Sequence, residues 1–175
     1  MGQIAQIITG MTDRMDVLSS GLLGGVDPDS AARFPVQEGK LISCNHPSFA
    51  FGHLALYPQM IMNILGLEPG DTSVPEQYGE LFAKGVECID DPDGSIYPPL
   101  SEIVEHFNRA YKALIEQAKD LDDSFLDKEI EGHDDFKVIF GTNGVLIMFM
   151  IHDHRMFHYG QVSTWRRFMG LGSAM

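Results

Sequence analysis

Apolar residues recur at three- and four-residue steps in four stretches of the chain, the spacing of one face of an α-helix. In the first stretch Ile4, Ile7, Ile8, Met11, Met15, Leu18 and Leu22 form the stripe, with Asp13, Arg14 and Asp16 off it. Gly21, Gly24, Gly25 and Pro28 stop the pattern, and residues 23–42, rich in Gly, Pro and Asp, read as a loop. The second helix opens at Asn45-His46-Pro47, because proline at the first helical position gives up an N–H that has no intrahelical partner there. Its inward stripe is Phe49, His53, Leu56, Met60 and Ile64, and Gly66 ends it. Pro58 lies inside and deletes the bond to the Leu54 carbonyl, which predicts a kink.

Residues 66–98, punctuated by Pro69, Gly70, Pro75, Pro92, Gly94 and Pro98, form a long connection with one short helix near Glu76–Lys84. Neighbouring antiparallel helices need only short loops, so this length predicts a crossover between parallel helices. The third helix covers about Pro99–Lys119, with Ile103, Phe107, Ala110, Tyr111, Leu114 and Ala118 inward. An acidic loop from Asp120 to Asp135 follows, and Val138, Ile139 and Phe140 read as a strand or extended packing segment. Thr142 or Asn143 caps the fourth helix and Gly170 ends it in the left-handed conformation. Four helices and two long connections predict an all-α bundle.

Composition narrows the class. A chain of 175 residues, 44% hydrophobic and 21% charged, suits a single domain over residues 1–175. Twelve basic against 25 acidic residues give a formal charge of −13, which repels phosphate backbones and argues against nucleic acid and anionic membranes as partners. Cys44 and Cys88 form no CxxC or zinc-ribbon pattern. Gln3, Gln6, Asp13, Arg14 and Asp16 interrupt the first twenty residues, and the apolar run Val145–Ile151 is too short to span a bilayer, so a cytoplasmic protein is expected.

The chemistry concentrates in Ile151-His-Asp-His-Arg-Met-Phe-His-Tyr-Gly-Gln161. His154 and His158 sit one turn apart on one helix face, so both imidazoles reach a single metal ion. Ile151, Val162 and Trp165 share that face, so the histidines interrupt the stripe meant for the core. Buried imidazoles need partners, either a metal or each other as a hydrogen-bonded neutral pair. A third ligand must come from another helix, and His53 on the inward stripe of the second is the candidate; Gly52 beside it allows close approach. The bland alternative for His53 is a core histidine bonded to a backbone carbonyl.

The remaining residues take humbler readings. Gln161, three after His158, is placed to orient it or a bound water, or simply to cap the packing between helices. His152 reads as a surface residue, Asp153 as solvated or ion-paired, and His46, two turns before His53 on one face, as a capping group or a residue at the pocket mouth. Arg166 and Arg167 complement the negative end of the fourth helix. Asp90-Asp-Pro-Asp-Gly94 lacks the position-12 ligand of an EF-hand and reads as a turn. Met148, Met150, Met156, Phe49, Phe51, Phe149, Phe157 and Phe168 read as core or interface.

The segments Asn45-His-Pro-Ser-Phe-Ala-Phe-Gly-His53-Leu-Ala and His154-Arg-Met-Phe-His158-Tyr-Gly-Gln-Val-Ser-Thr-Trp-Arg-Arg-Phe-Met-Gly170 resemble the DinB/YfiT-like family of metalloenzymes, in order, spacing and helix placement. The resemblance spans essentially the whole chain. It implies a four-helix bundle in up-down-down-up order, with the 66–98 connection as its crossover, and a three-histidine metal site carried onto His53, His154 and His158. It also implies homodimers and, for some members, thiol-dependent transferase or isomerase activity with a low-molecular-weight thiol cosubstrate.

Three neutral imidazoles leave a coordination position for water, as in catalytic zinc sites. Imidazole also suits nickel, copper and iron, so ligand type does not choose the metal, although zinc and nickel lead. Thiol transfer and metal-assisted hydrolysis of a small molecule both fit such a site, and the lack of a glutamate beside the histidines weakens a protease reading. The alternative is a non-catalytic, homodimeric stress-response or binding module of the same fold.

Overall fold

The first predicted stripe folds as two helices rather than one. In the computed structural model, which describes residues 2–174, α1 spans Gln3–Thr9 and α2 spans Thr12–Leu23. Thr9 and Thr12 turn their hydroxyls back onto the Ala5 and Thr9 carbonyls across the Gly10 break. The break rotates one stripe against the other. Ala5, Ile8, Met15 and Leu22 are buried, while Ile7 and Met11 face solvent. The α1 N-terminus is capped from a distance, as the Asp123 carboxylate accepts from the Gln3 and Ile4 N–H groups at 3.0 and 2.9 Å.

The segment read as a loop contains a short 3₁₀ turn, Pro28–Ser30, and a small antiparallel hairpin, β1 (Val36–Gln37) with β2 (Lys40–Leu41). Glu38 and Gly39 both take positive φ, 51° and 76°, the turn geometry that matches strand twist.

Helix α3 spans Pro47–Ile64 and starts where the sequence placed it. His46 is its N-cap: Nδ1 accepts from the Phe49 N–H at 3.1 Å, and Nε2 lies 3.1 Å from the Ile89 carbonyl, so Nε2 carries the proton. The helix runs through Pro58 to Ile64. It ends in a Schellman motif, with Gly66 and Leu67 donating to the Asn63 and Met62 carbonyls. Its deepest positions differ from the predicted stripe. Residues 47–55 are buried all round, then Pro58, Ile61 and Met62, whereas Leu56, Met60 and Ile64 are only half-buried. A central helix has neighbours on several sides, and α3 packs on α4 (Gln77–Phe82), α5 (Leu100–Asp120) and α9 (His154–Phe168).

Helix α5 carries its predicted stripe into the core, with Ile103, Phe107, Ala110, Tyr111, Leu114 and Ala118 all buried. The acidic stretch holds α6 (Asp123–Leu126), and α7 (Asp134–Phe140) replaces the expected strand. Val138 and Ile139 are exposed there, so their β-branched character does not decide the conformation. Asp91 accepts from the Ser95, Ile96 and Tyr97 N–H groups and closes the predicted turn.

The fourth predicted helix is continuous but not uniform. Thr142 caps α8 (Asn143–Met148), a π turn covers Phe149–Asp153, and α9 follows. Gly170, at φ 75°, ends α9 as expected, with Leu171 donating to the Arg166 carbonyl. Arg166 lies in the last turn of α9 with Nη2 3.5 Å from the Leu171 carbonyl just past it, and it serves a second helix end as well: Nη1 donates to the Leu22 and Gly24 carbonyls at the end of α2. Arg155 is wholly buried between α2 and α5. Its guanidinium lies 4.7 Å from the Tyr111 ring, donates to the Tyr159 hydroxyl and pairs with Asp16 at 2.9 Å. No helix among the described residues is long and apolar enough to cross a membrane.

The buried His46 makes folding acid-sensitive. Burial pushes its pKa from 6.5 down to about 4, against the raising pull of the Ile89 carbonyl, Asp90 and Asp91. Between these values the unfolded chain binds a proton that the folded chain refuses, so stability falls as pH drops from about 6.5 towards 4 and is unaffected by this group above 6.5. His46→Asn keeps a capping acceptor and is expected to lessen the slope of Tm against pH in that range without abolishing it, since His53, His154 and His158 are lowered too, read by thermal melting in metal-free buffer.

Candidate metal centre

His53 stands on the second turn of α3, facing α4 and α9. Its Nδ1 lies 2.6 Å from the carbonyl oxygen of Phe82, the last residue of α4. A carbonyl only accepts, so Nδ1 carries the ring proton and the Nε2 lone pair is free. The Phe82 ring packs on Gly52, where a Cβ would come within 2.6 Å of it. The predicted close approach at Gly52 therefore admits an aromatic ring from α4, and with it the carbonyl that fixes the tautomer of His53.

His154 and His158 come from the start of α9, just after the π turn. A π turn holds one residue more than an α turn and so advances the face of everything that follows. Two contacts hold it. The Tyr111 hydroxyl donates to the Met150 carbonyl at 3.4 Å, and His152 Nε2 bonds the Ile8 carbonyl of α1. His152 is thus half-buried and ties two helices, in place of the expected surface role.

The ligand atoms of His53, His154 and His158 lie within 4.8 Å of one another. Nε2 of His154 and Nε2 of His158 are 3.2 Å apart. Two nitrogens on one tetrahedral zinc, each about 2.05 Å from it, would be about 3.3 Å apart, so this pair has the spacing of a chelate. Nδ1 of His158 lies 2.8 Å from Gln161 Oε1, which also accepts from Asn45 Nδ2 at 2.9 Å. His158 is therefore protonated on Nδ1, with its Nε2 lone pair facing the other rings. Nδ1 of His154 is buried with no hydrogen-bond partner among the described residues. Packing holds that ring instead, Phe149 stacked against it and Tyr57 edge-on at 4.3 Å.

All three rings are poised neutral. Burial, then the neighbouring imidazoles of His158 and His53, pushes His154 down to about 3. Burial and His53 push His158 down to about 4, with Gln161 opposing, and burial lowers His53 against the pull of the Phe82 carbonyl. Neutral imidazole is the form that ligates metal. The donor set is all nitrogen without a carboxylate, which suits zinc, nickel, copper or iron over magnesium or calcium.

The other four histidines stand elsewhere. His46 caps α3, His152 ties the π turn, His106 faces Glu102 and His133 is exposed. The sequence pointed to His53, His154, His158 and Gln161. It carried no sign of Phe82, which comes from the long connection, and showed Asn45 only as part of a helix start. Comparison of the chain with protein-family models, with curated proteins and with solved structures finds no match.

Gly52→Ala would drive a methyl group into the Phe82 ring. A loss of about 1–3 kcal/mol is expected, the usual cost of overpacking. Thermal melting checks it against Gly79→Ala, where the added methyl meets nothing within 4 Å and no comparable loss is expected.

Proposed function

We propose that the chain binds a divalent transition metal, zinc or nickel, through His53, His154 and His158. The observation that carries this reading is the convergence of three neutral imidazoles from two helices, two of them with Nδ1 committed elsewhere and Nε2 left as a lone pair. Bound there, the metal would act as a Lewis acid and lower the pKa of a water or thiol in the remaining position. The protein's own part is orientation: Phe82 and Gln161 set the tautomers of two ligands, while Phe149 and Tyr57 pack the third.

Under this reading the fold is a DinB/YfiT-like four-helix bundle in up-down-down-up order. The packing of α3 on α5 and α9, of α2 on α9, and the long connection before α5 support it. The site then serves small-molecule chemistry in the cytoplasm, as thiol-dependent transfer with a low-molecular-weight thiol cosubstrate or as metal-assisted hydrolysis. Homodimerisation is part of the same proposal, and the exposed Met156, Phe157 and Phe168 on α9 offer apolar surface for it.

The alternative, a non-catalytic binding or stress-response module, gains support from the same 3.2 Å contact, which equally fits a direct hydrogen bond between His154 and His158. Metal analysis separates the two. Untagged protein offered zinc, nickel or manganese is expected to retain about one equivalent, and retention below about a tenth of an equivalent of each would sink the metal reading. Saturating zinc should raise the Tm of the wild type, and His154→Ala should abolish that gain.

A further inference from the structure

We infer that the exposed face of α9 is the docking surface for a second copy of this chain, packed antiparallel about a two-fold axis between Gly160 and Thr164. This rests on the homodimer reading above and names its interface; it does not depend on the metal.

Asp153, Phe157, Gly160, Thr164 and Phe168 follow one another at steps of three or four, with Arg167 three after Thr164, so all six lie along one side of the helix. All are exposed, Phe157 at 65% and Phe168 at 44%. No contact among the described residues requires the glycine. Glycine weakens a helix interior, yet a Cβ at position 160 would meet nothing within 4 Å. A close approach from outside the chain gives it a reason. Thr164 turns its hydroxyl back onto the Gly160 carbonyl at 3.0 Å, so the face can be covered without leaving that donor unpaired. An open cavity of about 500 Å³ lies over Gly160 and Thr164, walled by Phe157, Gln161, Cys44 and Asn45.

Charge selects a second copy as the occupant. Residues 141–174 carry one acid and three bases, Asp153, Arg155, Arg166 and Arg167, in a chain of formal charge −13, so here two acidic molecules escape much of their mutual repulsion. Arg155 and Arg166 are buried, which leaves Asp153 and Arg167 as the exposed charges, one towards each end of the face. Neither makes an ion pair among the described residues. An antiparallel arrangement sets each beside its opposite, Asp153 facing the partner's Arg167 and Arg167 facing the partner's Asp153. The same axis brings Phe157 against the partner's Phe168 over the cavity. A parallel pair would set like charge on like. A partner seated there also covers Gln161, whose Oε1 lies 2.8 Å from His158 Nδ1, so the interface and the histidine cluster share a wall.

Sedimentation velocity of metal-free protein in low salt tests this. The wild type is expected to be a dimer at micromolar concentration. Gly160→Leu suits the helix, and the first atom added there meets nothing in the chain, but it fills the crossing point. It should be monomeric at the same concentration, with an unchanged far-ultraviolet circular dichroism spectrum. Asp153→Arg and Arg167→Asp each set like charges together at both ends of the face and should raise the dimer dissociation constant about tenfold or more. Combining the two restores both pairs and should return the constant to near the wild-type value. A purely structural defect would show no such recovery, and the charge pair carries the test should Gly160→Leu fail to fold. A dimer as tight in folded Gly160→Leu or in the single reversals as in the wild type, or one that the double reversal fails to restore, overturns this interface and leaves homodimerisation standing. A wild type that stays monomeric up to about 100 µM overturns the interface and the homodimer reading together.

Discussion

A single buried charge governs how the last helix lies. Arg155 has no exposed surface, and its guanidinium is fitted against Tyr111 of α5, the Tyr159 hydroxyl and the Asp16 carboxylate of α2. Burial works to discharge it, while Tyr159, Asp16 and Tyr111 outweigh that pull and hold it charged. A planar, always-charged group with fixed donors tolerates little rotation. Locking Arg155 towards α2 and α5 therefore locks the azimuth of α9. Its neighbour His154, a third of a turn away, and His158 one turn on are left facing α3. The histidines depend for their direction on an arginine that touches none of them.

The π turn is the second half of that arrangement. α8 and α9 each bury an apolar face, and an uninterrupted helix would present those faces in one fixed phase. The extra residue in Phe149–Asp153 lets α8 pack against α1 while Arg155 and the histidines meet their own partners. Such a turn leaves backbone groups awkwardly placed, and the Tyr111 hydroxyl meets the Met150 carbonyl within it, while the His152 side chain ties the turn to the Ile8 carbonyl of α1. Buried imidazoles carry a comparable burden. An unsatisfied buried donor or acceptor costs about 1–3 kcal/mol, and here Phe82 and Gln161 relieve His53 and His158 while Nδ1 of His154 has only packing. The cluster is thus buried at some expense, with its three ligand atoms within 4.8 Å of one another.

Where the sequence reading went astray, the cause was tertiary. Ile7 and Met11 belong to a regular stripe, yet the Gly10 break changes the phase and turns them outward. Val138–Ile139 suggested a strand or extended segment, but with no neighbouring strand to pair among the described residues it folds within about two turns of helix. Arg166 sits in the last turn of its own helix, yet its two shortest bonds go to carbonyls at the end of α2, a neighbour no local pattern reveals. In each case local spacing was read correctly and the partner was not in view.

The sequence by itself determined the helices with strong periodicity, their caps at His46, Thr142 and Gly170, and the three histidines that lie on inward faces. These follow from local physics, since a 3.6-residue repeat, a capping side chain and a glycine at positive φ act within a few residues. Only the tertiary structure brought the three rings together and decided which nitrogen of His53 is free. That choice rests on the carbonyl of Phe82, 29 residues from His53, because a hydrogen bond is indifferent to sequence separation once the chain has folded to bring its partners together.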